Sequence, residues 1–319
     1  MLALLLALAG CTPAPTYCDL APIGQVTLPA DEAVHDESIE WWYWTGHLTD
    51  DQGRWYGFEE TFFVFQMGVY DATMAHVAVT DIDADDFAFE YAHEEVIPQM
   101  SGEGFQLAVG ADSATGVGGV DHLVGAAQTY GLDLTLTSNK PTVFQHGDGY
   151  QEYDIGGYTW YYSRERMSVS GVMTVDGEQR VVLGTGWMDH QWGQLAQMTA
   201  AGWDWFAIQL DDDREVMLFL THGGGEVVGG SITGADCGTQ ELAAADIQVV
   251  SHDTWTSPHS DCTYPMGWTV TVLGETFELT PVRLDQELYN DRETYWEGAN
   301  VVTGDATGRA YVELAGYCG

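Results

Sequence analysis

Between Ile39 and Leu48 the sequence places Trp41, Trp42, Tyr43 and Trp44 in succession. Consecutive side chains on an extended strand point to opposite faces. A strand with aromatic rings on both faces must be covered on both. It is therefore predicted to be central in a sheet or to line a filled barrel. Asp50-Asp51-Gln52-Gly53 is a turn signal, and Trp55 to Gln66 reads as the returning strand. Leu132, Leu134 and Leu136 alternate with polar residues, and Asp176-Gly177 joins Met173–Val175 to Arg180–Leu183 as a hairpin. The later chain repeats the style at Phe206–Leu210, Val216–Leu220, Trp268–Val272, Thr276–Leu279 and Tyr311–Leu314. Helical periodicity is scarce, and Glu241–Asp246 is the one short helix expected. Many short strands with regularly spaced turns predict an all-β sandwich or barrel. The 319 residues suit two such units, with the boundary near Leu195–Ala201.

Charge narrows the function. Forty-nine acidic residues face nine basic ones, a formal net charge of −40, and Lys140 is the only lysine. Such a surface repels phosphate backbones, which excludes nucleic acid as a partner. The acidity reads as a solubility or salt-tolerance trait. Arg164 and Arg166 stand out against it and are expected to form structural ion pairs with Glu59, Glu60 or Glu297. Asp81–Asp86 lacks the glycine and distal glutamate of a calcium loop.

The first ten residues, Met1–Gly10, are too few to span a bilayer but suit a secretory signal. Leu8-Ala9-Gly10-Cys11 looks like a bacterial lipobox, in which Cys11 receives lipid. Residues 11–34 then form a tether, residues 35–198 a first domain and residues 199–319 a second. An exported lipoprotein anchored at the membrane is expected, on the periplasmic side of a bacterial outer membrane and monomeric. Beyond Cys11 an even set remains, Cys18, Cys237, Cys262 and Cys318, which reads as two disulfides. Of three possible pairings, Cys237–Cys262 and Cys18–Cys318 are favoured: the first closes a local loop and the second ties the termini to the body. No Cys/His spacing suggests zinc, and neither metal nor cofactor is expected.

The chemistry concentrates at Trp187-Met188-Asp189-His190-Gln191-Trp192-Gly193 and Gly202-Trp203-Asp204-Trp205-Phe206. A carboxyl among indole rings has a raised pKa and can serve as a proton donor. Tryptophan faces stabilise a developing cation. Asp189 and Asp204 are the candidate acids and His190 the candidate water or proton partner. Trp42, Trp44, His47, Trp187, Trp192 and Trp203 are the candidate ligand-binding side chains. The opposing reading is that Asp189 and His190 only satisfy backbone groups where a barrel closes.

These segments, with Glu40-Trp41-Trp42-Tyr43, Gly46-His47-Leu48, Tyr161-Tyr162-Ser163-Arg164, Tyr295-Trp296-Glu297-Gly298-Ala299 and Tyr311-Val312-Glu313-Leu314, resemble the carotenoid 1,2-hydratase and AttH-like lipocalin-like proteins. The likeness runs in order from about residue 35 to 317. It implies two tandem lipocalin-like β-barrel domains and an apolar small-molecule ligand: isoprenoid, carotenoid or lipid. The implied activity is acid-assisted hydration or cyclisation of a carbon–carbon double bond. The alternative is a non-catalytic carrier at the membrane surface. The hydratases' functional His-x-Trp pair matches His190 and Trp192. Their Tyr-x-Asp acid has no counterpart, because no tyrosine lies between Tyr162 and Tyr264, so Asp204 or Asp211 is left as its substitute.

Overall fold

The computed structural model describes residues 24–318, apart from 69–70, 99–101, 155, 223–227, 291–293 and the side chains of 197–198. Cys11, Cys18 and the signal-like segment lie outside the described residues.

The first sheet contains β1 (Ile39–Asp50), β2 (Trp55–Gln66), β3 (Asp71–Asp81), β4 (Asp86–Glu94), β5 (Phe105–Val109), β6 (Asp112–Val117), β7 (Val120–Ala127), β8 (Tyr130–Ser138), β9 (Val143–Phe144), β10 (Tyr150–Glu152), β11 (Tyr158–Val175) and β12 (Glu178–Gln194). Helix α1 (Ala196–Ala201) follows. The second sheet contains β13 (Trp203–Leu210), β14 (Glu215–Thr221), β15 (Val228–Thr233), β16 (Thr239–Leu242), β17 (Ile247–Thr256), β18 (Thr263–Val272), β19 (Glu275–Pro281), β20 (Glu287–Tyr289), β21 (Thr294–Gly304) and β22 (Gly308–Ala315). All pairings are antiparallel. In each sheet the first strand returns to pair with the last, β1 with β12 and β13 with β22. The sheets curl into a barrel or half-barrel each, the tandem lipocalin-like arrangement. The short helix expected at Glu241–Asp246 is instead the end of β16 followed by a single 3-10 turn at Ala244–Asp246, because Leu242 buries as a strand residue.

Period-two alternation decides what each wall does. Even residues of β1, Trp42, Trp44 and Leu48, fill the first barrel with Phe58, Phe62, Leu134 and Met167. Odd residues, Ile39 and Tyr43, pack with Tyr161, Trp187, Trp205, Phe219 and Tyr311 in a separate core between the two units. The second barrel has its own core of Phe206, Ile208, Trp268, Trp296 and Val312. Burying a large apolar side chain contributes about 1.5–3 kcal/mol, so both faces of β1 are strongly specified.

A register shift between Arg164 and Met167 reverses the alternation along β11. Such a bulge re-aims the side chains after it. Arg164 is buried in the first barrel, where its guanidinium pairs with Glu32 and lies 3.6 Å from Asp121. Arg166 turns to the second unit and pairs with Glu215, which Lys140 also reaches at 2.6 Å. The expected partners Glu59, Glu60 and Glu297 are thus corrected. Glu60 shares the inside of the barrel, but the segment before β1 brings Glu32 to Arg164 instead. That segment crosses the barrel mouth, with Val26 and Val34 in the core and the Trp42 indole donating to the Glu32 carbonyl at 3.2 Å.

The disulfide pairing is also corrected. Cys262 bonds Cys318, with Cα atoms 5.0 Å apart, and Cys237 is itself disulfide-bonded. Closeness in sequence favoured Cys237 as the partner of Cys262. The barrel instead carries the chain beyond β22 back to the start of β18.

Candidate functional site

A cleft of about 670 Å³ opens between the two units. One wall is the outward face of the first sheet: Trp41 and Tyr43 of β1, Phe63 and Phe65 of β2, Tyr161 of β11, and Asp189 and Gln191 of β12. The opposite wall is Trp203 and Trp205 of β13, Phe219 of β14 and Glu313 of β22, with Ala196 and Thr199 of α1 at one side. The odd-numbered positions of β1 and β12 face this space because the even ones are committed to the barrel interior.

Asp189 and Glu313 are carboxyls that line the cleft, one on each wall. Tyr43 is the cross-strand neighbour of Asp189 on β1 and Ser163 on β11. The Tyr161 hydroxyl donates to Asp189 Oδ2 at 2.5 Å and the Trp187 indole to Oδ1 at 2.7 Å. The Trp205 indole donates in turn to the Tyr161 oxygen at 3.2 Å, linking the two units. Burial pushes the Asp189 carboxyl up to about 6, against the pull of hydrogen bonds from Ser163, Tyr161 and Trp187. Desolvation dominates because the charged form loses water that three donors do not replace.

A second group of acids adjoins the first. Tyr43 donates to Glu297 of β21, and Glu297 lies directly across the ladder from Glu313 of β22. Burial, then the nearby charges of Glu313 and Glu59, drive the Glu297 carboxyl well above the carboxylate range. Burial and Glu297 likewise raise the Tyr43 and Tyr311 phenols. Like-charged carboxyls held close cannot all ionise, so protons are retained at this interface.

The candidate residues divide by face. Asp189 and Trp203 line the cleft, and Trp187 lies beneath it, bonded to Asp189. His190 points the other way, so it is no proton partner for Asp189; neighbours on a strand cannot share a face. His190 is buried among Trp42, Trp192 and Tyr162, and desolvation lowers its pKa to about 4. Trp42, Trp44 and Trp192 belong to the barrel core rather than the cleft. His47 sits apart, accepting from the Trp55 indole at 3.3 Å beside Tyr311, with burial lowering its pKa to about 3. Asp204 faces the second unit, where Tyr317 donates to it at 2.8 Å and His222 lies at 3.0 Å. Asp211 accepts from Thr307 at an exposed turn and does not line the cleft.

Tyr43, Tyr161, Glu297, Glu313 and Trp205 were missed as site residues. Alternation on β1 and β12 was the available signal, since it groups Trp41 with Tyr43 and Trp187 with Asp189. Nothing in sequence spacing announces that β21 and β22 bring acids to the same place.

A sequence model described as AttH-like matches residues 20–317. No curated protein sequence matches the chain. A solved structure assigned as an AttH, from Nitrosomonas europaea, has 28% identity and a TM-score of 0.84, covering 93% of this chain and 100% of that one. Kievitone hydratase from Nectria haematococca has 18% identity and a TM-score of 0.78, covering 92% of this chain and 95% of that one. CghA with Sch210972 has 13% identity and a TM-score of 0.60, covering 93% and 95%. The last two are likenesses of fold.

Proposed function

Since the chain belongs to the AttH-like family, we propose that the cleft binds an apolar isoprenoid- or polyene-type molecule and that Asp189 protonates a carbon–carbon double bond within it. The observation that carries this reading is a carboxyl with its pKa near 6 set in the wall of an aromatic cleft. Kievitone hydratase, similar in fold, is a hydratase by name. In the proposed step the Asp189 proton forms a new C–H bond with the alkene's π electrons, leaving a carbocation. The faces of Trp41, Trp203 and Trp205 stabilise that cation. Water then adds to it and its excess proton returns to the Asp189 carboxylate, which restores the acid; where another double bond of the ligand attacks instead, the ring-closed cation loses a proton to that same carboxylate and the outcome is cyclisation. Only the protonated form of Asp189 starts the reaction, so turnover falls as pH rises through about 6. Incubation with acyclic carotenoids and other terpenoids tests the reading, with products followed by mass. Asp189→Asn should lose turnover by about 100-fold or more. An unchanged Asp189→Asn variant overturns it.

One observation favours the second reading, a carrier: both Asp189 oxygens already accept hydrogen bonds. A carrier retains a stoichiometric apolar ligand on gentle extraction and returns it unaltered, which native mass spectrometry detects. For localisation, the lipobox-like Leu8–Cys11 supports export and lipid anchoring. Cys11→Ala should then move the protein from the membrane to the soluble fraction, and an unchanged distribution opposes this.

A further inference from the structure

At the mouth of the first barrel, on the face of β1 and β12 turned away from the cleft, three side chains from three stretches of chain converge. His35 comes from the segment before β1, Glu40 from β1 and His190 from β12. One ligand atom from each lies within 4.8 Å of the other two. Glu40 Oε1 is 2.8 Å from His35 Nδ1 and 2.7 Å from His190 Nε2. The groups around them hold each ligand in place. The far nitrogen of His35 lies 3.7 Å from Asp31, and that of His190 lies 3.2 Å from the Tyr162 hydroxyl. Glu40 Oε2 accepts the His35 backbone N–H at 2.8 Å. The His35 ring stacks on Trp192 with 4.1 Å between centroids and 2° between planes, and His190 stacks on Trp42 at 4.3 Å.

We propose that His35, Glu40 and His190 bind one divalent transition-metal ion of the zinc class. Two imidazoles and one carboxylate suit zinc and its neighbours, whereas calcium and magnesium require oxygen ligands. Metal-bound histidines characteristically give their second nitrogen to a carboxylate or another oxygen, as Asp31 and Tyr162 allow here. Ligand atoms around a tetrahedral zinc with bonds of about 2.0 Å are separated by about 3.3 Å, so binding asks for a small opening of the present contacts. The His35 side chain is 21% exposed, so its segment can supply that movement and leave a fourth position to water. With its near nitrogen on the ion, each imidazole would carry its proton on the far nitrogen, toward Asp31 or Tyr162. The bound ion would fasten the segment before β1 across the barrel mouth. No sequence spacing announces this site, because Glu40 and His190 are 150 residues apart and meet only through the β1–β12 ladder.

The full chain, stripped with chelator and titrated with Zn²⁺ by calorimetry and with Co²⁺ by absorbance, tests this. The expected result is one ion per chain, a cobalt spectrum of a low-coordinate site with nitrogen ligands, and a Zn²⁺-dependent rise in melting temperature. His35→Phe keeps the stack on Trp192 and removes the ligand nitrogen; it should abolish both the spectrum and the melting shift. Asp31→Asn should weaken binding by about 10–100-fold. No stoichiometric binding in the unmodified chain overturns the proposal. So does binding that survives His35→Phe, which would mark adsorption on the acidic surface.

Discussion

Asp189 and Glu165 show how little a residue's identity says about its charge. Both are carboxyls fully enclosed near the interface and both accept hydrogen bonds from three neighbouring side chains, yet burial raises Asp189 to about 6 and, with the nearby charge of Glu215 added, Glu165 to about 7. The Tyr161 hydroxyl that donates to Asp189 holds the carboxyl's pKa down, and that gives a test of direction. Tyr161→Phe removes the hydrogen bond to Oδ2 and should raise the Asp189 pKa above 6, moving the pH limb of turnover, or an NMR titration of the carboxyl, to the alkaline side. A limb that stays put or moves to acid refutes the assigned role. At this scale the sequence was partly readable. An acid among tryptophans pointed to Asp189. Its pairing with His190 did not hold, because adjacency in a strand separates side chains by the thickness of the sheet.

Among the elements, the β1–β12 pair was the most legible, since Trp41–Trp44 demanded cover on both sides and received it. Less legible were features that depend on register. The bulge in β11 sends Arg164 and Arg166 to different units, and no local signal gives their partners. The cysteines were similar: their number foretold disulfides, but only the path of β22 puts Cys318 beside Cys262. That bond closes a loop with a sequence separation of 56. In the chain-entropy picture such a loop is worth about 4 kcal/mol. Cys262→Ala with Cys318→Ala should therefore lower unfolding free energy by about that amount in denaturant titration, with β18 and the chain beyond β22 losing amide-exchange protection first. Protection lost first at β1 and β12 would contradict this.

Across the whole molecule, two sets of buried groups pull stability in opposite directions with pH. Desolvation lowers His47 and His76 to about 3 and His146 and His190 to about 4, so the unfolded chain takes up protons below about 6.5 and acid destabilises through them. The raised carboxyls act oppositely. Glu165, with a folded pKa of about 7 against 4.5, stabilises fully below 4.5 and loses that stability as pH rises to about 7. Above pH 7 the histidines are neutral in both states, and the continued titration of Glu60 and Glu297, both raised well above the carboxylate range by burial first, makes stability fall. Glu165→Gln isolates one contribution. Relative to the unmodified chain it should gain stability between pH 5 and pH 8, on the order of 3 kcal/mol, in urea unfolding at matched ionic strength. A difference independent of pH would show that Glu165 ionises freely. Finally, β1 and β12 are a party wall between two rooms, furnished on alternate letters of the sequence. A half-buried odd position such as Trp41 can be rewritten by drift or by design to admit a different guest while even positions keep the barrel standing. A lineage built on this wall changes its guest most cheaply at the half-buried odd positions, because the buried ones, Tyr43 and Trp187, also hold the two units together.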